Sequence, residues 1–356
     1  LSCSQGTGPE GGEPLSSGDD PQLSSDHPYS SAIWSSGGVS TPYSSSSVLQ
    51  SSSSQAVSSS SLNTALPDLL TKAQYHQIFP ITNPASPHYR TMTEACAAQA
   101  KCRSVTTYEG FVEAASRFEG FLEVGTLNDR KRELAAFLAN VEKETTGGWS
   151  GAPGGEEFWG LCFCEELGSP GGYTQSSDPN YQPVPGQGYH GRGALQISYP
   201  YNYGPASEYI YGDKNVLLQN PDKVLQDPIA FWGASIWFWT VKEDVAPGET
   251  PPGGNPSAMG FDGKYYKPSC HMAMTHTWVP RPSDQEKRRT FGLGVTINVI
   301  NGGLECAAGW DARGQKRVKN YKKFAEILGV NPLPESWTGS EEEYYSCQNQ
   351  VSFTTP

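Results

Sequence analysis

The chain has 356 residues and a formal net charge of −12, from 25 Lys and Arg against 37 Asp and Glu, with a pI near 5.0. That balance argues against a phosphate backbone as partner, since nucleic-acid binding draws on a basic face. No apolar run reaches the ~18 residues that a membrane span needs, so no membrane partner is expected either.

Residues 1 to 61 contain 23 serines, and no Lys or Arg precedes Lys72. Such a stretch has too little apolar surface to offset its ordering entropy, so 1–66 is expected to be a disordered Ser-rich linker or stalk. Residues 67–347 hold nearly all of the Trp, Phe and Leu and are long enough to bury one large core, leaving 348–356 as a short tail. Seven of the eight cysteines lie in the folded part, with Cys3 isolated in the Ser-rich stretch. Their spacings lack a paired C-x-x-C zinc signature, so disulfides in a secreted, extracellular protein are expected, with one thiol left over or paired to Cys3.

In chain order, helical patterns are predicted first at Thr107 to Gly125. From Lys131 to Thr145, Leu134, Phe137, Leu138 and Val141 recur at helical spacing and make one amphipathic face. Glu144 falls at the edge of that face and Lys143 on the opposite side; Gly147-Gly148 then ends the helix. A carboxylate in the last turn of a half-buried helix meets dipole and desolvation effects that both favour its protonated form. Gly193 to Ser198 alternates weakly, and further helices are predicted at Pro228 to Lys242 and Arg317 to Leu328. Stretches 151–155, 168–188 and 246–267 read as Pro- and Gly-rich loops. Trp232, Trp237 and Trp239 fit a core, whereas Trp149 fits a cleft floor, sugar stacking or packing. His271 and His276 are too isolated to suggest a metal.

Glu144 precedes Thr-Thr-Gly-Gly-Trp149, and the pair Glu165-Glu166 follows after Cys162-Phe163-Cys164. Two carboxyls flanking an aromatic, glycine-rich turn suit hydrolysis of a glycosidic bond, where one donates a proton and the other manages a water or the cationic centre. Five segments carry a more specific resemblance: Glu144-Thr-Thr-Gly-Gly-Trp149, Trp159-Gly-Leu-Cys-Phe-Cys-Glu-Glu166, Tyr189-His-Gly-Arg-Gly-Ala-Leu-Gln-Ile-Ser198, Tyr201-Asn-Tyr-Gly-Pro205 and Ile300-Asn-Gly-Gly-Leu-Glu-Cys306. In order and spacing they resemble the plant-type chitinases of glycoside hydrolase family 19, over about residues 85–347.

The resemblance implies a mainly helical, two-lobed, lysozyme-like domain with a central substrate cleft. It implies hydrolysis of β-1,4 bonds between N-acetylglucosamine units, with inversion, by a monomer using no cofactor or metal and acting on chitin and chitooligosaccharides. Glu144 would be the general acid and Glu166 the general base, with the carboxyls ~6.5–9.5 Å apart to admit a water. Ser198 and Thr146 would position that water. Gln196, Tyr201, Asn202, Lys267, Asn301 and Trp149 would contact sugar, and Glu305 with Arg317 would form a buried ion network beside the acid. Cys306 and Cys347 match a bridged pair, and Cys162 matches a cysteine whose partner is Cys96 or Cys102. A catalytically dead chitin-binding lectin and a muramidase-like lysozyme are the competing readings.

The chain departs from the family pattern in three places. Lys143 stands where plant members carry His, and successive helix residues do not face each other, so its ammonium is expected to point away from Glu144. The loop from Gly168 to Gly188 lacks the family's tryptophan, for which Tyr181 is the candidate substitute. Val245 to Tyr266 looks like an insertion.

Overall fold

The computed structural model describes residues 65–168, 172–176, 178–240, 267–280, 282–306 and 311–353. The Ser-rich linker up to residue 64, the insertion at 245–266 and part of the 168–188 loop lie outside the described residues. The helices among these residues are α1 (Ala65–Leu69), α2 (Lys72–Ile78), α3 (Tyr89–Ala95), α4 (Tyr108–Ala115), α5 (Leu127–Thr145), α6 (Pro200–Tyr211), α7 (Asn215–Gln219), α8 (Pro228–Thr240), α9 (Cys270–Thr275), α10 (Pro282–Glu286), α11 (Leu293–Glu305), α12 (Ala312–Ile327) and α13 (Glu341–Tyr345). Strand pairing among them is limited to the isolated bridges Glu165 with Arg192 and Arg192 with Ile197. The mainly helical class expected from the pattern is what is seen.

The helices fall into two groups. In one, α8 packs on α4 and α6, and α7 packs on α6; in the other, α12 lies along α5, and α9 and α11 pack on each other and on α5. The groups meet where α8 touches α9 and where α5 packs on α4 and α8 through Phe137. α5 runs through the centre and begins earlier than the apolar spacing suggests. Thr126 caps it by accepting from the Asp129 N–H at 3.2 Å while Asp129 reaches back to the Thr126 N–H at 2.9 Å, a capping box that satisfies two orphan donors of the first turn.

Every residue of α5 from Arg132 to Thr145 is buried. The helix is therefore not the half-solvated one expected from Leu134, Phe137, Leu138 and Val141, because helices pack against it on several sides. Phe137 anchors it to the aromatic core, with ring centroids 5.4 Å from Phe121, 5.4 Å from Trp239 and 5.8 Å from Phe111. Trp232 and Trp239 are fully buried core residues, as expected, and their indole N–H groups donate to the Val105 carbonyl and to Glu133.

The helix ends at Thr145 because Thr146 turns to extended backbone at φ −72° and ψ 139°. The glycines that follow serve close approach and are not a left-handed cap. A Cβ on Gly147 would come 2.4 Å from Cys162 Sγ, and one on Gly148 2.5 Å from the Glu156 carbonyl.

Three disulfides join Cys96 to Cys162, Cys102 to Cys164 and Cys306 to Cys347. The first resolves the open partner of Cys162, and the second uses Cys102 with a cysteine that the resemblance had not paired. Cys270 lies outside these bridges and is buried, its Sγ 3.9 Å from the Thr296 carbonyl. Past Cys347 the chain stays on the fold: Arg289 donates to the Val351 and Ser352 carbonyls, and its guanidinium sits 4.0 Å over the Phe353 ring.

Phe137→Ala is expected to cost about 3–5 kcal/mol, the usual penalty for deleting a fully buried ring. The urea midpoint of the variant against the wild type measures it, and a loss below ~1 kcal/mol would show that the ring does not anchor α5.

Candidate active site

Glu144 sits in the last turn of α5 and is 5% exposed. Its Oε1 accepts from the Arg317 guanidinium, which rises from α12 and also donates to both oxygens of Glu305 at 2.9 and 2.7 Å and to Asn140 Oδ1 at 2.9 Å. The buried network expected of Glu305 and Arg317 is present. Burial alone would lower the Arg317 pKa, but Glu305 and Glu144 raise it above its ordinary value. For Glu305, burial acts upward, yet Arg317 and the Asn301 amide hold the carboxyl below its usual range.

Asn301 belongs to the same cluster. It breaks α11 locally, at φ −146° and ψ 32°, and its Nδ2 donates to Glu305 Oε1 at 2.8 Å. Lys267, also buried, donates from Nζ to the Val299 carbonyl at 3.1 Å, two residues before Asn301.

Lys143, expected to point away from Glu144, is buried. It is 8% exposed and lies within the field of Arg317, Glu144, Glu305 and Glu142, with burial and then Arg317 holding its ammonium below its ordinary pKa. Its side of α5 is buried like the rest, so the ammonium does not end in open solvent.

A backbone ladder leads from the end of α5 to the second carboxyl. Phe163 N–H donates to the Thr145 carbonyl at 2.9 Å, Leu161 N–H to Thr145 Oγ1 at 2.8 Å, and Gly147 N–H to the Trp159 carbonyl at 3.0 Å. The disulfides of Cys162 and Cys164 pin this strip to the 96–102 segment. Glu166 N–H then donates to the Gly191 carbonyl at 2.8 Å, and Arg192 and Ile197 exchange bonds at 3.1 and 2.9 Å.

Successive residues of extended chain point to opposite sides, and the two adjacent glutamates separate accordingly. Glu165 pairs with Lys101 and lies 3.5 Å from His190 Nε2 and 3.9 Å from Arg192 Nε. His190 chiefly, with Lys101 and Arg192, holds its carboxyl down at about 2 against the opposing effect of burial. It is an ion-paired residue and not a solvated one. Glu166 stands apart from those cations and accepts from the Tyr173 hydroxyl at 2.9 Å.

Tyr173 is thus the loop tyrosine that reaches the candidate base. Tyr181, the expected substitute, is directed elsewhere, with its hydroxyl on Glu208 at 2.9 Å and its ring against Gly204. Nothing in the spacing of either tyrosine distinguishes them in the sequence.

The remaining residues gather at the turn before α6. Gln196, Ser198 and Asn202 are buried; Gln196 Nε2 donates to the Gly193 carbonyl, Ser198 Oγ to the Gln196 carbonyl and Asn202 Nδ2 to the Ser198 carbonyl. Asn202 Oδ1 is buried without a protein partner, an acceptor available to a bound N–H or O–H. Gln196 and Tyr199 bracket Ser198 at φ +52° and +72°, a strained backbone for non-glycine residues that costs on the order of 1–3 kcal/mol each. Tyr201 stacks on Tyr199 at 5.0 Å and 9°. Trp149 is 49% exposed and packs one edge against Trp159.

Thr146 is 3% exposed and accepts the Gly148 N–H at 3.0 Å. Beside it lies a carboxyl that the motifs did not single out. Glu142, 2% exposed, accepts from Asn320 of α12, and burial pushes it up to about 7.

A family model for glycoside hydrolase family 19, chitinase class I, matches residues 88–250 and 259–335. The basic 30 kDa endochitinase of Solanum lycopersicum is 42% identical over 247 residues, covering 69% of this chain and 66% of that protein. Chitinase 10 of Oryza sativa subsp. japonica is 38% identical over 237 residues, covering 67% and 73%. The chain spans about two thirds of the length of these curated relatives. A crystal structure of a family GH19, class IV chitinase from Zea mays superposes with a TM-score of 0.51 at 26% identity, over 76% of this chain and 98% of that one.

Arg317→Met leaves Glu144 and Glu305 buried without their cation, and is expected to cost about 3–5 kcal/mol near neutral pH. Glu305, whose carboxyl Arg317 holds down against burial, would then have a folded-state pKa above its unfolded one, a penalty present above the unfolded pKa and relieved as pH falls below it. Urea titrations at pH ~7 and ~4 check this: the loss should shrink at the lower pH, and an equal loss at both would contradict the network.

Proposed function

The chain belongs to glycoside hydrolase family 19, the class I chitinases, and on that premise we propose that it is a secreted endochitinase, hydrolysing β-1,4 bonds between N-acetylglucosamine units with inversion. The observation that carries this reading is the differing surroundings of the two motif carboxyls. Glu144 is buried against the Arg317 guanidinium, while Glu166 makes no ion pair among the described residues and accepts the Tyr173 hydroxyl on Oε1. The two carboxyls thus sit in unlike settings, one against a guanidinium and one against a neutral hydroxyl, as two carboxyls with different roles in one reaction do.

In this mechanism Glu144 protonates the leaving glycosidic oxygen and Glu166 takes a proton from the water attacking the opposite face of the sugar. Ser198 and Thr146 hold that water. Arg317 and Glu305 keep the Glu144 carboxyl in one orientation, and Asn301 ties the α11 kink to the same pair. Gln196, Tyr201, Asn202, Lys267, Asn301 and Trp149 bind the sugar, with the open acceptor of Asn202 suited to an acetamido N–H and the exposed face of Trp149 to a pyranose ring. The three disulfides support an extracytoplasmic location, and the described residues contain no helix long and apolar enough to cross a membrane.

Glu144→Gln should abolish hydrolysis of a chitin hexamer while leaving its binding by calorimetry within about threefold, because the amide keeps the shape and loses the proton. The wild type should release the α-anomer first, read by NMR at early times. Unchanged turnover in the variant, or an initial β-anomer, would sink the assignment.

A further inference from the structure

Glu142 is a fully enclosed carboxyl that the reaction above does not use. It lies one helical turn before Thr146, so the two side chains share a face of the chain at the end of α5. Asn320 Nδ2 holds its Oε2, while Oε1 is buried with no hydrogen-bond partner of its own. The Thr146 hydroxyl is near enough to favour the charged form of the carboxyl. Gly160 closes the other side, where a Cβ would come 2.9 Å from Glu142 Cα and 2.7 Å from the Phe79 ring.

We infer that Glu142 is a positioning residue for the hydrolytic water, acting through Thr146 by setting whether that hydroxyl accepts from the water or donates to it. The inference rests on the reading of Thr146 as a water-holding hydroxyl. A threonine hydroxyl has one proton and two lone pairs, and the Gly148 N–H takes one lone pair. When Glu142 is charged it can only accept, so the Thr146 proton turns to it and the second lone pair accepts the water's spare proton. The water's own lone pair is then free to attack. When Glu142 is neutral its O–H fills the second lone pair, and the Thr146 proton turns to the water, competing for the electrons that attack.

Both forms are accessible. Burial pushes the carboxyl up to about 7, against Thr146, Lys143, Lys316 and Asn320, which favour the charged form. The charged groups whose fields reach it are Lys143 from α5 and Lys316 from α12, and Lys316 in turn lies 3.5 Å from Glu156 of the 156–158 turn. Phe79 and the Gly160 backbone, on the remaining side, carry no charge. Turnover therefore contains an ionisation that belongs to neither Glu144 nor Glu166.

The test is kcat and KM on chitohexaose from pH ~5 to ~9 for the wild type, Glu142→Gln, Thr146→Val and the double variant. Because Asn320 claims the side-chain oxygen, the introduced amide presents N–H to Thr146 and imitates the neutral carboxyl. The kcat ratio of wild type to Glu142→Gln should be about tenfold at high pH and approach one at low pH, with KM within about twofold. Its midpoint should fall near about 7. In the Thr146→Val background the ratio should stay near one throughout. Asn320→Leu, which removes a donor to the charged form, should move the wild-type midpoint upward and serves if Glu142→Gln does not fold. A ratio that is flat with pH, one that persists without the Thr146 hydroxyl, or a midpoint that Asn320→Leu leaves in place overturns the inference while leaving the endochitinase reading intact. A wild type that does not hydrolyse chitohexaose overturns that reading, and this one with it.

Discussion

Arg317 is the constraint on which the candidate site depends. A guanidinium this deeply buried is tolerable only if its donors are satisfied and its charge is met, and here α5 supplies Glu144 and Asn140 while α11 supplies Glu305. Three helices therefore meet on one cation, and none can shift without leaving a charge unpaired. Such a junction adds little net stability over an apolar one of equal volume, because the desolvation of three charges opposes their attraction. What it contributes is direction. The Glu144 carboxyl is held by its Arg contact in one rotamer, and the kink at Asn301 is fixed by the same Glu305 that balances the charge.

The second carboxyl is held by backbone and not by charge. Thr145, Phe163, Glu166, Gly191, Arg192 and Ile197 pass hydrogen bonds along a short ribbon that starts at the end of α5, so the position of Glu166 is tied to the helix that carries Glu144. The two cystines behind the strip stiffen it where helices do not reach. Extended backbone then separates neighbours that look interchangeable in sequence. Glu165 turns to Lys101, His190 and Arg192 and stays ionised through the ordinary pH range, so its charge is balanced on the far side of the strip from Glu166.

Much of this was legible in the sequence, and the failures share a cause. Apolar spacing located the helices around Phe137 and Trp232, the ordered motifs contain Glu144, Glu166 and Glu305, and the family resemblance added Arg317. The spacing misjudged α5 as half solvated, because Arg132, Glu133, Asn140, Glu142 and Lys143 read as a wet face. Each is buried, and several find partners more than a hundred residues away: Glu133 with His271 and Trp239, Asn140 with Arg317, Glu142 with Asn320. Periodicity records polarity and carries no information on distant partners. Tyr173 was missed for a related reason, since only the path of its loop distinguishes it from Tyr181. The Gly147-Gly148 pair was read as a helix stop, and it is better explained by the approach of Cys162 and Glu156 to within a side chain's thickness.

α5 carries three buried carboxyls, and what each can do follows from what crosses the helix at its level. At Glu133, far from the candidate site, a histidine and an indole N–H share one oxygen and the group is structural. At Glu144 a guanidinium meets the carboxyl head on. At Glu142 the crossing residue is the neutral Asn320, and the nearby cations Lys143 and Lys316 act at longer range. A neutral partner satisfies geometry without offsetting desolvation, so burial pushes Glu142 up to about 7. Two residues apart on one helix, one carboxyl meets a cation and the other an amide, and which it meets comes down to whether α12 presents Arg317 or Asn320.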